Sequence, residues 1–256
     1  GGGGGGAVAV GGRDAAGATF GSADEFWRRE CAAGAAHWYD GSGQFWAQEA
    51  PTVRGMMGGL DQLHAPDVAA SLSFIAALRA ATPPLPRGDA LDCGAGIGRV
   101  SASVLLEAFD GVELLEPTAS FLDKARATLP VGRVCAYHQQ GLQQFHPAVG
   151  RAYACVWVQW VLNYLTDDDL QAFLRRCAAA LAPGGVLVVK ESTSRQQNGF
   201  YVDRSDFSIT RTAAHFAACF ERAGLAVAHD APQPELPREV FPVHMWALRA
   251  RVASLS

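Results

Sequence analysis

The chain has 256 residues, of which 49% are apolar, so it can bury the core of one moderately large domain. Its formal net charge of −4 excludes binding of nucleic acid through a broadly basic surface. No apolar run is long enough to span a bilayer, and the first residues lack the charged and apolar blocks of a signal peptide. We therefore expect a chain of the cytoplasm, the nucleus or both, with no direct contact to membrane or nucleic acid.

The N-terminal part of the chain divides into a tail and a helical region. Residues 1–21 are rich in glycine and alanine, which predicts a flexible tail that cannot offset its chain entropy by burying surface. Ser22 is typical of a helix N-cap, with Glu25 at the capping-box position. A further amphipathic helix is predicted over residues 67–79. We therefore expect an N-terminal helical cap over residues 22–86.

From residue 87 onward, apolar runs alternate with amphipathic patterns. The runs typical of strands fall at 89–93, 111–115, 133–137, 154–159, 186–190, 225–229 and 240–248. The patterns typical of helices fall at 98–109, 118–129, 167–181 and 211–223, and residues 192–210 form a charged loop. This alternation predicts an α/β domain over residues 87–256 with a mostly parallel sheet. Ligands of such sheets bind at the carboxyl ends of the strands, where the sequence places Gly94, Glu116, Gln159 and Glu191.

A glycine-rich turn joins the first of these strands to its helix. Gly94, Gly96 and Gly98 have G-x-G-x-G spacing, with Arg99 where the dinucleotide pattern G-x-G-x-x-G places its last glycine. Because glycine lacks a Cβ and tolerates positive φ, the backbone of such a turn can approach a bound nucleoside. Glu116 ends the next strand, where an acid can accept hydrogen bonds from ribose hydroxyls. The turn predicts a nucleoside-cofactor site, and a plain turn without a ligand is the alternative.

The cysteines and histidines give no metal signature. The six cysteines are scattered without a C-x-x-C pair and are interpreted as small buried residues of a reducing compartment. His64, His215 and His244 do not recur at metal-ligand spacing and are interpreted as structural. We therefore predict no metal site.

Several longer segments make a more specific resemblance. The motifs are WAQEAPTVRGMMGGL, LDCGAGIGRV, LLEPT, GLQQF, VWVQWVLNYLTDDDL, LAPGGVLVVKES, VDRSDFSITR and LPREVFPVHMWALR. Together they cover roughly residues 38–249, and the sequence resembles the protein α-N-terminal methyltransferases, which modify chains that begin Xaa-Pro-Lys. The resemblance implies a class I, Rossmann-like methyltransferase with a doubly wound sheet of seven strands. It also implies S-adenosylmethionine as the cofactor, S-adenosylhomocysteine as the product, and no metal.

The resemblance assigns nine residues to the cofactor: Gly94, Gly96, Arg99, Glu116, Pro117, Thr118, Leu142, Gln143 and Gln159. In physical terms, the two glycines let the backbone approach the methionine portion of the cofactor. Arg99 can bind the carboxylate of that portion through its planar guanidinium. Glu116 suits the ribose diol and replaces the aspartate that is more usual in the family. Leu142 and Gln143 are expected beside the adenine, and Gln159 beside the sulfonium.

The resemblance assigns a second set of residues to a peptide whose first three residues are Xaa-Pro-Lys: Phe45, Trp46, Gly59, Leu60, Trp160, Asp203, Ser208 and Phe241. Trp160 offers an apolar ring face to the proline. Asp203, assisted by Ser208, is expected to bind the lysine ammonium. Gly59, Leu60, Phe45 and Trp46 are expected to form a lid or channel wall, although the glycines of this segment can also simply make a turn.

Three residues are expected at the reaction centre. Asp206 is predicted to be the base that accepts the proton of the α-amino group, directly or through a water. Tyr164 stands where family members commonly have a histidine, and Ser192 stands where an asparagine is usual. Tyr164 can still donate or accept a hydrogen bond, and Asn198 is a candidate to replace the missing asparagine. Phenylalanines at 45 and 241 stand where tyrosines are common.

Two other functions remain compatible with the residues. A methyltransferase of the same fold that acts on a small-molecule amine or a side chain would keep the glycine turn and Glu116. A non-catalytic module that binds cofactor or peptide is suggested by Tyr164 and Ser192 at the reaction centre. Methylation outside any Xaa-Pro-Lys context would favour the former, and binding without turnover would favour the latter.

Overall fold

The computed structural model describes residues 11–251. Its N-terminal part contains β1 (Gly12–Asp14), β2 (Thr19–Phe20), α1 (Ala23–Glu30), α2 (Ala36–Gln48), α3 (Val53–Met56) and α4 (His64–Ala80). α1 begins as predicted, because Ser22 Oγ accepts a hydrogen bond from the Glu25 N–H at 3.1 Å. The predicted flexible tail is wrong for residues 12–14 and 19–20, which form β1 and β2: β2 pairs with β1, and β1 pairs with a strand near residue 200. Residues 1–10 of that tail lie outside the described residues.

The other strands are β3 (Asp89–Cys93), β4 (Gly111–Leu115), β5 (Val134–His138), β6 (Tyr153–Gln159), β7 (Leu181–Ser192), β8 (Phe200–Asp203), β9 (Ser208–Thr210), β10 (Leu225–Pro232) and β11 (Val243–Ala250). Seven of them form the main sheet in the order β10-β11-β7-β6-β3-β4-β5. The five from β7 to β5 are parallel, and β11 is antiparallel to both of its neighbours. The predicted seven-stranded, mostly parallel sheet is therefore confirmed.

Helices connect the strands on both faces of the main sheet. A π-helical turn (Ser101–Leu105) continues into α5 (Leu106–Ala108), followed by α6 (Ala119–Thr128), α7 (Asp167–Ala179) and α8 (Ala213–Arg222). Short 3₁₀ turns lie at Asp61–Leu63, Leu162–Tyr164 and Gln196–Asn198. No helix within residues 11–251 is long and apolar enough to cross a membrane.

Alternate residues of β7 divide the core between the two faces of the sheet. Val186 and Val188 pack in the same buried cluster as Phe74 of α4, whereas Leu187 and Val189 pack in the cluster that contains α7 and α8. α4 is therefore one of the layers that cover the sheet. The core extends across the boundary predicted at residues 86 and 87, so α4 is not part of a separate cap.

A second, smaller sheet has the order β2-β1-β8-β9. β8 and β9 lie within residues 192–210, where the sequence predicted a loop, and that prediction is wrong for residues 200–203 and 208–210. β8 is antiparallel to β9 and parallel to β1. The N-terminal segment supplies half of this sheet, so no local pattern in residues 192–210 could reveal it.

Candidate active site

The glycine turn after β3 has the conformation that its composition predicts. Gly94 and Gly96 have φ of +68° and +54°, in the left-handed region that side chains disfavour. A Cβ at Gly94 would lie 2.7 Å from Val161 Cβ, and one at Gly96 would lie 2.7 Å from Met56 Sδ. The Gly94 N–H donates to the Leu115 carbonyl at 2.8 Å, which ties the turn to the end of β4. The turn thus presents bare backbone at the carboxyl edge of the sheet.

Glu116 follows β4 and is fixed by backbone donors. Its Oε2 accepts a hydrogen bond from the Gly96 N–H at 3.0 Å, and its Oε1 accepts one from the Thr118 N–H at 2.8 Å. Burial raises the pKa of this carboxyl above its ordinary value, although both hydrogen bonds oppose the change. Each oxygen can accept a further hydrogen bond, so the carboxylate keeps the capacity to bind a diol.

The turn and Glu116 line a cavity of about 330 Å³, a volume within the range of small-molecule sites. All nine residues predicted to contact the cofactor line it: Gly94, Gly96, Arg99, Glu116, Pro117, Thr118, Leu142, Gln143 and Gln159. Their wall continues onto Trp46, Trp160 and Tyr164, which the sequence assigned to the peptide or the reaction centre. Met56 and Phe121 close other parts of the wall.

A buried charge cluster lies behind the cavity and was missed by sequence reasoning. Asp67, on α4, is fully buried and accepts hydrogen bonds from Arg99 Nη1 at 2.7 Å and Gln159 Nε2 at 2.9 Å. Lys190 Nζ of β7 lies 2.5 Å from Asp67 Oδ1 and donates to Ser71 Oγ at 2.9 Å. Asp67 thus connects two of the predicted cofactor residues. A signal was available, because Asp67, Ser71 and Ile75 recur every four residues along the predicted helix and so place two polar side chains beside an apolar one on the same face.

The charges of this cluster leave one positive charge in excess. Burial lowers the pKa of Lys190, and Asp67 opposes that change. Burial alone would raise the pKa of Asp67, but Lys190 and Arg99 hold it below its ordinary value. With both cations protonated, the single carboxylate balances only one of them. The guanidinium of Arg99, which lines the cavity, therefore favours an anionic ligand group.

Trp160 and Tyr164 form the end of the cavity nearest the predicted reaction centre. Trp160 has φ of +53°, a strained value for a residue other than glycine, and its ring lies 5.4 Å from the Arg99 guanidinium. Tyr164 O–H donates to Asp206 Oδ2 at 3.2 Å, while Asp206 Oδ1 is buried without a partner among the described residues. Burial raises the pKa of Asp206, and the nearby Asp203 carboxylate adds to the effect. Asp206 therefore lies one hydrogen bond behind the cavity wall.

Glu191 is a second buried acid near this end, and its position in the sequence predicts only that it lies at the edge of the sheet. Its Oε1 accepts hydrogen bonds from the Val161 and Leu162 N–H groups, each at 2.7 Å. Burial raises its pKa to about 8, against the effect of these hydrogen bonds. Glu191 thus holds the backbone that follows Trp160.

Other predicted residues lie outside this cavity. Phe45 packs against Trp46, with ring centroids 5.5 Å apart. The Gly59 N–H donates a hydrogen bond to the Arg54 carbonyl at 2.9 Å and so closes a turn. None of the following lines the cavity within the described residues: Phe45, Gly59, Leu60, Ser192, Asp203, Asp206, Ser208 and Phe241. Their roles stay predictions.

Phe241 and Asn198 lie together at a separate, shallow pocket. Neither residue lines the cavity that contains Trp160, where Phe241 was expected to contact the peptide and Asn198 to replace the missing asparagine. Ser192 ends β7 opposite Val243, and its carbonyl accepts a hydrogen bond from Asn163 Nδ2 at 3.4 Å. An amide side chain therefore does lie at the carboxyl end of β7, but it is that of Asn163, from the turn after β6.

One cluster among residues 11–251 has the side chains of a metal site: Asp167, His215 and Cys219. Both carboxylate oxygens of Asp167 are already engaged, since Arg211 Nη2 lies 2.7 Å from Oδ1 and His215 Nε2 lies 2.7 Å from Oδ2. The buried guanidinium of Arg211 also opposes a cation at this point. The cluster is a structural ion-pair network that holds α7 to α8.

The residues of the cavity fit S-adenosylmethionine. The left-handed turn leaves no room for side-chain atoms at Gly94 and Gly96, and the fixed carboxylate of Glu116 is one hydrogen bond from that turn. The excess positive charge at Arg99 lies at the same edge of the sheet. A nucleoside with an acidic tail satisfies both features.

Comparisons with known proteins point to the same cofactor. Residues 34–249 match the family described as AdoMet-dependent proline di-methyltransferase. The alpha N-terminal protein methyltransferase 1 of Dictyostelium discoideum is 36% identical over 250 residues, covering 94% of this chain and 91% of the relative. The N-terminal Xaa-Pro-Lys N-methyltransferase 1 of Danio rerio is 39% identical over 214 residues, covering 82% of this chain and 95% of the relative.

Among solved structures, a SAM-dependent methyltransferase from Leishmania major superposes with a TM-score of 0.88 at 34% identity, covering 97% of this chain and 99% of the other. The class I fold and the resemblance predicted from the motifs are therefore confirmed. The chain belongs to the family of AdoMet-dependent proline di-methyltransferases.

Proposed function

We propose that this protein transfers a methyl group from S-adenosylmethionine to the free α-amino group of protein chains that begin Xaa-Pro-Lys. The observation that carries the proposal is the continuity of one cavity from the nucleoside turn to Trp160 and Tyr164, with Asp206 directly behind Tyr164. The cofactor and the acceptor amine can therefore meet at one end of a single space. The names of the relatives supply the class of acceptor.

The chain's own residues bind and orient the cofactor. Arg99 binds the methionine carboxylate, which neutralises the excess charge of the Asp67 cluster. Glu116 accepts hydrogen bonds from the ribose hydroxyls, and Leu142 and Gln143 lie beside the adenine. Asp67 accepts a hydrogen bond from the Gln159 amide, so this side chain is held in place at the position proposed for the sulfonium.

Alignment accounts for most of the catalysis of methyl transfer. S-adenosylmethionine, when bound, supplies an electrophilic methyl group, whose carbon–sulfur bond breaks as the nitrogen–carbon bond forms. The acceptor must be unprotonated, and the reference pKa of an α-amino group is about 7.7–8.0, so a weak base suffices. Before the transfer, the protonated α-amino group of the substrate gives a proton to the Tyr164 oxygen. At the same time the Tyr164 hydroxyl passes its own proton to Asp206 Oδ2, to which it is hydrogen bonded. Burial raises the pKa of Tyr164 well above its ordinary value, so Tyr164 passes the proton on without storing charge.

The peptide is recognised at three points. The proline packs against the Trp160 ring, which forms the cavity wall. The lysine binds Asp203, whose Oδ1 is fixed by the Ser205 N–H at 2.8 Å and the Ser205 hydroxyl at 2.6 Å. Ser208 lies directly opposite Asp203 in the small sheet and assists it. Phe45, Trp46, Gly59 and Leu60 act as the lid.

A double-mutant cycle tests the recognition of lysine. Wild type and Asp203→Asn are compared on peptides beginning Ser-Pro-Lys and Ser-Pro-Gln, with kcat/KM as the readout. We expect Asp203→Asn to lower kcat/KM about tenfold on the lysine peptide, as loss of one charge-assisted contact does, and to have little effect on the glutamine peptide. Equal losses on both peptides would show that Asp203 does not bind the lysine.

A further inference from the structure

The N-terminal strands precede the part of the chain that the family model matches, and they complete the sheet that carries the candidate substrate acids. β1 and β2 span Gly12–Phe20, and the matched segment begins at residue 34. β1 pairs in parallel with β8, Gly12 opposite Phe200 and Asp14 opposite Val202. The Ala15 N–H extends the pairing by donating to the Val202 carbonyl at 3.0 Å. Without these strands, β8 and β9 would be a two-stranded hairpin, which is marginally stable by itself.

Side chains strengthen this pairing at the turn between β8 and β9. The turn follows Asp203, the last residue of β8, and has the sequence Arg204-Ser205-Asp206-Phe207, so one arginine stands between the two acids assigned to the substrate. Arg204 binds neither of them: its Nε donates to Asp14 Oδ2 at 3.2 Å, and its Nη1 donates to Glu30 Oε2 at 3.0 Å. The guanidinium is therefore directed toward the N-terminal segment.

The two acids that bind Arg204 are themselves held in place. Asp14 is 5% exposed, and its Oδ1 accepts hydrogen bonds from the Ala16 and Ala18 N–H groups at 3.1 and 2.9 Å. Those bonds shape the turn between β1 and β2 and leave Oδ2 for Arg204. Glu30 ends α1, whose Phe26 packs against Phe200 of β8 with ring centroids 6.0 Å apart. The position of Arg204 thus follows from the packing of the whole segment.

We propose that Asp14 and Glu30 are positioning residues that hold Arg204 away from Asp203 and Asp206. This inference rests on the proposed function, in which a cationic protein N-terminus needs both acids. If Asp14 and Glu30 did not bind the guanidinium, it would be free to pair with one of the carboxylates that lie one and two residues away on its own turn. The paired acid would then be lost to the lysine or to the α-amino group. The N-terminal strands therefore contribute to substrate specificity from outside the cavity.

The test uses the full chain and the variant Asp14→Asn/Glu30→Gln, with and without Arg204→Met. We expect the double variant to weaken binding of a Ser-Pro-Lys peptide about tenfold, measured by calorimetry with S-adenosylhomocysteine present, and to raise KM by the same factor. Affinity for S-adenosylhomocysteine itself stays unchanged, because the cavity is not altered. Adding Arg204→Met restores peptide affinity, since no free guanidinium competes. A merely structural role of the ion pairs would give no such rescue.

Glu221→Gln is the matched control, because Glu221 forms a half-exposed ion pair with Arg251 at 3.0 Å far from the turn. Should the double variant fail to fold, Glu30→Gln alone, with and without Arg204→Met, gives the same comparison. Unchanged peptide affinity in the acid variants, or no recovery with Arg204→Met, would overturn the inference. A wild-type protein that neither binds nor methylates the peptide would instead refute the proposed function.

Discussion

The substitution Asp67→Asn tests the charge cluster behind the cavity. Asp67 is fully buried, as is Lys190, and their charged atoms are 2.5 Å apart. Asparagine keeps the shape and one acceptor oxygen but removes the charge that balances Lys190. The variant thus leaves two cations, Lys190 and Arg99, without the carboxylate that pairs with both of them.

Removal of one partner from a buried ion pair costs about 3–5 kcal/mol, because the other charge is left uncompensated. Lys190 can limit the loss by releasing its proton, since burial already lowers its pKa. We therefore expect the free energy of unfolding to fall by about 3 kcal/mol, at the lower end of that range. For a chain of this size the melting temperature should fall by about 6–12 °C.

Urea denaturation and calorimetry measure the two consequences. As a control, Asp123→Asn breaks an exposed ion pair with Arg126 and should cost less than about 1 kcal/mol. Asp67→Asn should weaken S-adenosylhomocysteine about tenfold, because Arg99 loses the carboxylate that holds its guanidinium in place and this loss outweighs the added positive charge. Methylthioadenosine, which lacks the ligand carboxylate, should be weakened much less. Adding Lys190→Met should recover part of the stability, because it removes the unpaired charge. A loss below about 1 kcal/mol, or equal weakening of both ligands, would refute the reasoning.

Three further predictions concern single positions. Burial raises the pKa of Glu191 from 4.5 to about 8, so between these pH values the native state retains a proton that the unfolded state releases. The free energy of unfolding therefore falls as pH rises from 5 to 8. Glu191→Gln should flatten this dependence, which urea titrations at pH 5 and pH 8 measure. Gly96→Ala, at φ of +54°, should weaken S-adenosylhomocysteine at least about tenfold by calorimetry, whereas Gly150→Ala, at φ of +80° in open space, should leave affinity unchanged. Asp206→Asn should lower kcat about a hundredfold in steady-state assays and Tyr164→Phe less, because water can replace the hydroxyl between amine and carboxylate; equal losses would contradict the assigned relay.

The main sheet and the cofactor cavity were predictable because their signals are local. The strand before Gly94 and the acid after β4 each occupy a few consecutive residues, and the strand-end rule places them at one edge. The resemblance extended that prediction to Leu142, Gln143 and Gln159, all of which line the cavity. Their roles in binding remain predictions.

The remaining features depend on partners that are distant in sequence. β1 was predicted to be flexible because glycine and alanine dominate its neighbourhood, and it is ordered by pairing with residues near 200. Asp67 could not be matched with Lys190, because 123 residues separate them. Phe241 was placed at the peptide from family likeness alone, and it lies at a different pocket. Local periodicity identifies elements, but it does not identify which side chains meet.

Mass spectrometry of peptides after incubation with the protein and S-adenosylmethionine tests the central claim most directly. Three peptides are compared: a free Ser-Pro-Lys N-terminus, the same peptide acetylated at its α-amino group, and one with glutamine in place of lysine. We predict methylation of the free peptide at its N-terminus, none of the acetylated peptide, and reduced methylation of the glutamine peptide. Absence of methylation on the free peptide despite measurable binding of S-adenosylhomocysteine, or equal methylation of the acetylated peptide, would contradict the proposed function.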